Sequence, residues 1–177
     1  MKTVLGIKTD YQVVRRHLGY LRSAYLIEEA KRWDVKGRHY MDYPSKYYSV
    51  DVGLRNARLD YRQQEPTHIM ENIVFNELRA RGYSVDVGMV EIETRREGKR
   101  EKRQHEVDFV ANLPGERVYV QSAYAMETDA KREQETLALR KTGDSFRKII
   151  VRNDVGLRWF DEQGILNISV MDFLLDE

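Results

Sequence analysis

Residues 66–89, PTHIMENIVFNELRARGYSVDVGM, change hydrophobic period within one short stretch. Pro66-Thr67 opens a helix, proline being favoured in a first helical turn. Ile69, Met70, Ile73, Val74 and Leu78 follow at helical spacing and build one apolar face. Gly82, just after Arg81, suits the position that ends a helix. From there the apolar residues alternate, at Tyr83, Val85, Val87 and Met89, which predicts a strand. Two further strands, His105–Ala111 and Arg117–Gln121, are joined by a Pro114-Gly115 turn. A polar helix over Asp129–Lys141, an apolar strand over Lys148–Val151, a hairpin around Asp161–Gly164 and a last strand ending in Met171–Leu175 complete the chain. From Pro66 onward the order is helix, three strands, helix, strand and strand pair. That order predicts an α/β sandwich with a mixed central sheet.

Upstream, Thr9-Asp10-Tyr11-Gln12 has the form of a capping box, with Thr9 and Gln12 satisfying each other's orphan amides. Tyr11, Val14, Leu18, Leu21 and Tyr25 follow at helical spacing, with Arg15, Arg16 and Arg22 on other faces. A strand from Tyr25 to Trp33, a turn at Lys36-Gly37 and a second strand over Lys46–Val50 come next. Asp51-Val52-Gly53 breaks the pattern, and a polar stretch without a predicted element runs to Pro66. Residues 93–104 are the charge-dense segment. They hold Arg95, Arg96, Lys99, Arg100, Lys102 and Arg103 against Glu93, Glu97 and Glu101, six minus three, or +3. With Gly98 near its middle this segment reads as an exposed hairpin loop.

The chain has 177 residues, the size of one domain or of one domain with a small appendage. Thirty Lys and Arg against 29 Asp and Glu leave a formal charge of +1, so no global basic character points to nucleic acid. There are no cysteines, which excludes a disulfide scaffold, a thiolate zinc site, an iron–sulfur cluster and a cysteine nucleophile. No run approaches the roughly eighteen apolar residues that span a bilayer, and no signal-peptide core opens the chain, so the expected compartment is the cytoplasm. Walker A, dinucleotide-binding and nucleophile-elbow patterns are missing. His17, His39, His68 and His105 are scattered, with no pair at metal-ligand spacing. Any chemistry must therefore rest on carboxylates.

The most informative trio is Glu71 on the first core helix, Asp108 in His105-Glu106-Val107-Asp108-Phe109, and Gln121 closing Val118-Tyr119-Val120-Gln121. A helical carboxylate, a strand carboxylate and a polar group on the adjacent strand offer the oxygen ligands that Mg²⁺ takes. Such an ion polarises a phosphodiester and generates hydroxide near neutral pH. A structural reading stands beside this one. Glu71 lies at the edge of its helix's apolar arc, where an ion pair would serve it. Asp108 alternates with Val107 and Phe109, as a hydrogen-bonded strand aspartate would. Glu77 falls within the apolar arc and needs a partner such as an arginine.

Several blocks in order resemble one family. They are Lys46-Tyr47-Tyr48-Ser49-Val50-Asp51-Val52-Gly53-Leu54-Arg55-Asn56, Glu71-Asn72-Ile73-Val74-Phe75-Asn76-Glu77-Leu78, Glu106-Val107-Asp108-Phe109-Val110, Tyr119-Val120-Gln121-Ser122-Ala123-Tyr124 and Met171-Asp172-Phe173-Leu174-Leu175. Together they resemble the domain of unknown function that forms the C-terminal part of many prokaryotic AAA-type ATPases, within the PD-(D/E)XK nuclease-like superfamily. The resemblance implies a restriction-endonuclease-like mixed-sheet sandwich over residues 51–177, preceded over residues 1–50 by a partial winged helix, a helix plus β-hairpin.

The superfamily's helical Glu falls on Glu71 and its strand Asp on Asp108. Its Glu-x-Lys falls on Gln121-Ser122-Ala123. Gln121 still offers an amide oxygen but no charge, and Ala123 cannot replace the lysine that orients the attacking water. Lys131 or Arg132 on the next helix are the candidate surrogates. The ion implied is Mg²⁺ or Mn²⁺, held by Glu71, Asp108 and Gln121. The expected function is an accessory domain of an AAA-type ATPase, nuclease-like but catalytically degenerate, that binds DNA or protein. The alternatives are a metal-dependent DNA endonuclease and a protein-interaction or oligomerisation module. The implied partner is an ATPase module, in the same parent chain or in trans, with DNA and a second copy of the chain as further partners and no membrane. Arg15, Arg16 and Arg22 on the first helix, with Arg95, Arg96, Lys99 and Arg100 in the charged loop, are the candidate phosphate contacts.

Overall fold

The computed structural model describes residues 10–96 and 99–176, the side chains of 94–99 excepted. Helix α1 (Tyr11–Ser23) starts at Asp10, whose side chain accepts the Gln12 N–H at 3.1 Å. The cap is therefore Asp10 where Thr9 was expected, and Thr9 lies outside the described residues. The expected Tyr25–Trp33 strand divides at Lys31 into β1 (Ile27–Ala30) and β2 (Arg32–Asp34), and the two halves serve different sheets. Strand β1 pairs antiparallel with β4 (Lys46–Ser49). Strand β2 pairs with β3 (His39–Tyr40) across the Lys36-Gly37 turn.

The stretch read as structureless holds α2 (Val52–Arg58), capped by Asp51, which accepts the Leu54 N–H at 2.8 Å. None of its residues is buried, so no hydrophobic period marks it. Then come α3 (Pro66–Ala80), β5 (Ser84–Arg96), β6 (Lys99–Leu113) and β7 (Glu116–Ala123). The expected charged loop is a ladder instead, β5 and β6 staying paired out to Arg96 and Lys99. Helix α4 (Asp129–Arg140), β8 (Arg147–Arg152), β9 (Trp159–Phe160) and β10 (Leu166–Ser169) follow, the last two as the expected hairpin. Met171–Leu175 is not a strand. It belongs to α5 (Val170–Leu175), which Ser169 opens by accepting the Asp172 N–H at 2.9 Å.

Eight strands form one mixed sheet in the order β3-β2-β5-β6-β7-β8-β10-β9. Strands β5, β6 and β7 form an antiparallel meander, α4 crosses over to a parallel β8, and β10 lies parallel to β8. Strand β2 joins the other side, parallel to β5. The residues on either side of position 50 thus share one sheet. Two apolar layers cover its faces. Phe75, Val74 and Leu78 of α3 and Phe173 of α5 close one over Val87, Phe109, Val120 and Ile149. Ala138 and Leu139 of α4 close the other over Val107, Val110, Tyr119 and Ile150. Glu77 finds the arginine its position demands, Arg81 at 2.7 Å.

Helix α3 is tied to β4 by its polar side chains, Asn72 foremost. Asn72 accepts the Ser49 N–H at 2.9 Å and donates to the Ser49 carbonyl at 2.8 Å, so its amide stands in for a neighbouring strand. Tyr48, in the same strand, stacks on Phe75 with ring centroids 4.2 Å apart. Asn72→Ala leaves the Ser49 N–H unpaired, while the Ser49 carbonyl keeps the Asn76 amide at 3.1 Å, and is expected to cost about 1–2 kcal/mol. Urea unfolding would measure it, and a change within error would mean that water replaces the bond to the Ser49 N–H.

Candidate functional site

The site forms where β4, α3 and β6 meet. Its geometry depends on a bulge in β6. Asp86 faces Val110 and Gly88 faces Val107, so two β6 residues, Asp108 and Phe109, stand opposite Val87 alone. In such a bulge the extra residue re-aims its neighbours. Val107 and Val110 pack into the layer under α4, whereas Phe109 and Ala111 pack into the layer under α3. Glu106, Asp108 and Phe109 all turn toward α3.

Lys46 lies at the centre. Its ammonium donates to Glu71 Oε1 at 2.9 Å and to Glu106 Oε1 at 2.5 Å. The Tyr48 hydroxyl donates to the same Glu71 oxygen at 2.7 Å. The other Glu106 oxygen takes the Arg32 guanidinium, which β2 delivers by pairing with β5. Asp108 is 8% exposed and accepts the Ser122 N–H through Oδ2 at 2.8 Å. The Ser122 hydroxyl, beside it, is buried without a hydrogen-bond partner among the described residues. A cavity of about 310 Å³ lined by Lys46, Tyr48, Arg55, His68 and Glu71 opens next to the cluster.

These contacts set the charge states. Burial alone would lower the Lys46 ammonium, but the Glu71 charge and the Glu106 hydrogen bond outweigh it and hold its pKa above the ordinary value. Burial would raise Glu106, but the bonds from Lys46 and Arg32 bring it below the usual carboxylate range. Asp108 goes the other way. Burial, then the negative charge of Glu71, push it up to about 8, so it is mostly protonated at neutral pH. Burial and Glu71 likewise raise the Tyr48 hydroxyl.

Of the expected trio, Glu71 and Asp108 come together and Gln121 does not join them. Along β7, Val118 and Val120 face α3 while Tyr119 and Ala123 face α4, and Gln121 shares the second face. Its amide donates to Glu135 of α4 at 3.0 Å, and its oxygen accepts the Asp108 main-chain N–H at 3.2 Å. The ladder between β6 and β7 ends at Phe109 and Val120, so the Gln121 side chain replaces the next rung as the strands part. Lys131 is bound to Glu135 at 2.5 Å and Arg132 to Asp129 at 2.9 Å, both away from Glu71. Lys46 and Glu106 are the residues that sequence reasoning missed. The resembling block Lys46–Asn56 begins with Lys46, but 25 residues separate it from Glu71 and no local spacing links them.

A divalent ion does not fit these donors as they stand. Among the described residues no three His, Asp or Glu side chains form a group suited to a metal. The Glu71 oxygen is shared by two donors, and Gln121 turns its amide elsewhere.

The candidate phosphate contacts are dispersed. Arg15 and Arg16 are exposed on α1, and Arg22 is paired with Glu29 at 2.5 Å. Arg100 is exposed on β6, and the side chains of Arg95, Arg96 and Lys99 lie outside the described residues. Along the same arm Lys102 binds Glu91 at 2.7 Å and Arg103 binds Glu101 at 3.1 Å. No helix among the described residues is long and apolar enough to cross a membrane.

No family model matches the chain. No solved structure matches it. An uncharacterized protein of Haemophilus influenzae is 30% identical over 172 residues, which cover 96% of this chain and 38% of that protein. The chain thus spans well under half the length of this relative.

Proposed function

We propose that this chain is a restriction-endonuclease-like domain that no longer cuts, and that it serves an AAA-type ATPase as a docking module in the cytoplasm. The observation that carries the reading is the ion-pair lock at the ancestral site. Lys46 engages Glu71 and Glu106, while Ala123 stands where the nuclease lysine would be. A cutting site needs carboxylates free for a metal and a cation free for the attacking water. Here the cation is spent on the carboxylates. Helix α3, the β5–β7 meander, the α4 crossover and parallel β8 are the element order that the nuclease-like reading requires. Tyr11, Val14, Tyr20 and Leu21 are exposed on α1 and favour a protein partner over DNA.

Incubation of the protein with single- and double-stranded DNA in Mg²⁺ or Mn²⁺ is expected to leave both intact. Cleavage that Asp108→Ala abolishes would overturn the reading. DNA affinity that falls steeply with salt would replace the protein partner with nucleic acid. The second reading, a metal-dependent endonuclease, is favoured by one observation. Lys46 lies beside Glu71, where a relocated catalytic lysine could serve.

A further inference from the structure

We infer that Lys46 is a tethered cation, holding the position that a divalent ion would take between the acidic side chains and closing the site to Mg²⁺ and Mn²⁺. The inference rests on the nuclease-like reading of the site. An ammonium is a compact point charge with three donors, and Lys46 directs two of them at Glu71 and Glu106. Each glutamate is held a second time, Glu71 by the Tyr48 hydroxyl and Glu106 by Arg32. Two cations thus neutralise two glutamates within the protein. An Mg²⁺ or Mn²⁺ ion entering beside Lys46 would meet an ammonium at contact distance, a Glu71 Oε1 already shared by two donors and a Glu106 carboxylate engaged through both oxygens. A hard cation gives up its water only for oxygen ligands that are available. Entry therefore requires Lys46 to leave, breaking two ion pairs that are partly shielded from solvent.

Strand pairing keeps Lys46 there. Its main chain is held opposite Ala30 in the β1–β4 ladder, and the Asn72 clamp at Ser49 fixes β4 against α3. The ammonium is thus presented by a strand end anchored on both sides.

Lys46→Met keeps the length and apolar stem of the side chain and removes the charge. Mn²⁺ is the probe, followed by calorimetry and by the shift in unfolding temperature of the whole chain. The wild type is expected to show no binding at millimolar Mn²⁺. Lys46→Met is expected to bind about tenfold more tightly or better, and to regain in Mn²⁺ part of the thermal stability it lost. Adding Asp108→Asn to Lys46→Met should abolish that gain. The inference is overturned if the wild type binds Mn²⁺ as tightly as the variant, or if a folded Lys46→Met binds none. Should Lys46→Met not fold, the wild type decides by NMR. Unbroadened amide signals of Glu71, Glu106 and Asp108 in millimolar Mn²⁺ would uphold the tethered cation, and selective broadening would overturn it. Mn²⁺ bound by a wild type that leaves DNA intact sinks this inference alone, whereas DNA cleavage sinks the proposed function.

Discussion

Replacing Gly88 by valine is expected to destabilise the protein by about 3 kcal/mol, the upper part of the range for overpacking a core. Gly88 pairs with Val107 beside the β6 bulge. The bulge draws Val107 and Val110 together on the α4 face, and they close over the glycine. A Cβ at position 88 would lie 2.8 Å from Val110 Cγ2 and 3.0 Å from Val107 Cβ. The first contact is shorter than carbon atoms tolerate and the second is tighter than ordinary packing, and both neighbours are short, branched side chains buried in the core. The glycine is there for space and not for backbone freedom. Relief of the clash would pull the bulge out of β6, so Asp108 should lose its bond to the Ser122 N–H together with the stability. Urea unfolding measures the first effect, and the amide shift of Ser122 reports the second. Wild-type stability in Gly88→Val would mean that the two valines repack freely.

Asp108→Asn is expected to gain stability over wild type by a margin that grows from acid pH up to about 8 and levels off above it. The sign follows from linkage. The folded pKa of Asp108 lies near 8, above its ordinary value of 3.8. Between those values the folded protein holds a proton that the unfolded chain has released. Stability from this group is therefore complete below the ordinary value and is lost as pH rises toward 8. The steepest contribution is about 1.4 kcal/mol per pH unit. Asparagine cannot ionise, yet its amide oxygen still accepts the Ser122 N–H. The difference between variant and wild type, taken from denaturant titrations at pH 5, 7 and 9, cancels the groups they share. A difference that stays constant across that range would show that Asp108 carries its charge throughout.

Much of the fold was legible because it rests on local patterns. The α3 face, the alternation that opens β5, the Pro114-Gly115 turn, α4 and the β9–β10 hairpin all lie where spacing puts them. Short elements were harder. Helix α2 buries nothing and carries no period, and the apolar run Met171–Leu175 suits either a strand or a helix until Ser169 caps it. The division of Tyr25–Trp33 depends on partners distant in the chain, since β1 pairs with β4 while β2 lies against β5.

The resemblance singled out Glu71 and Asp108, and by itself the sequence determined the α/β class and the order of helices and strands from Pro66 onward. Those features follow from residues a few positions apart, where side-chain period and turn chemistry act directly. Only the tertiary structure decided what surrounds the carboxylates. Lys46, Tyr48 and Arg32 arrive from β4 and β2, and Gln121 turns to the α4 face. The bulge seats Asp108 and Phe109 on one face where strict alternation would part them. Ion pairing, burial and register across a sheet depend on distance in space, and no local period encodes them.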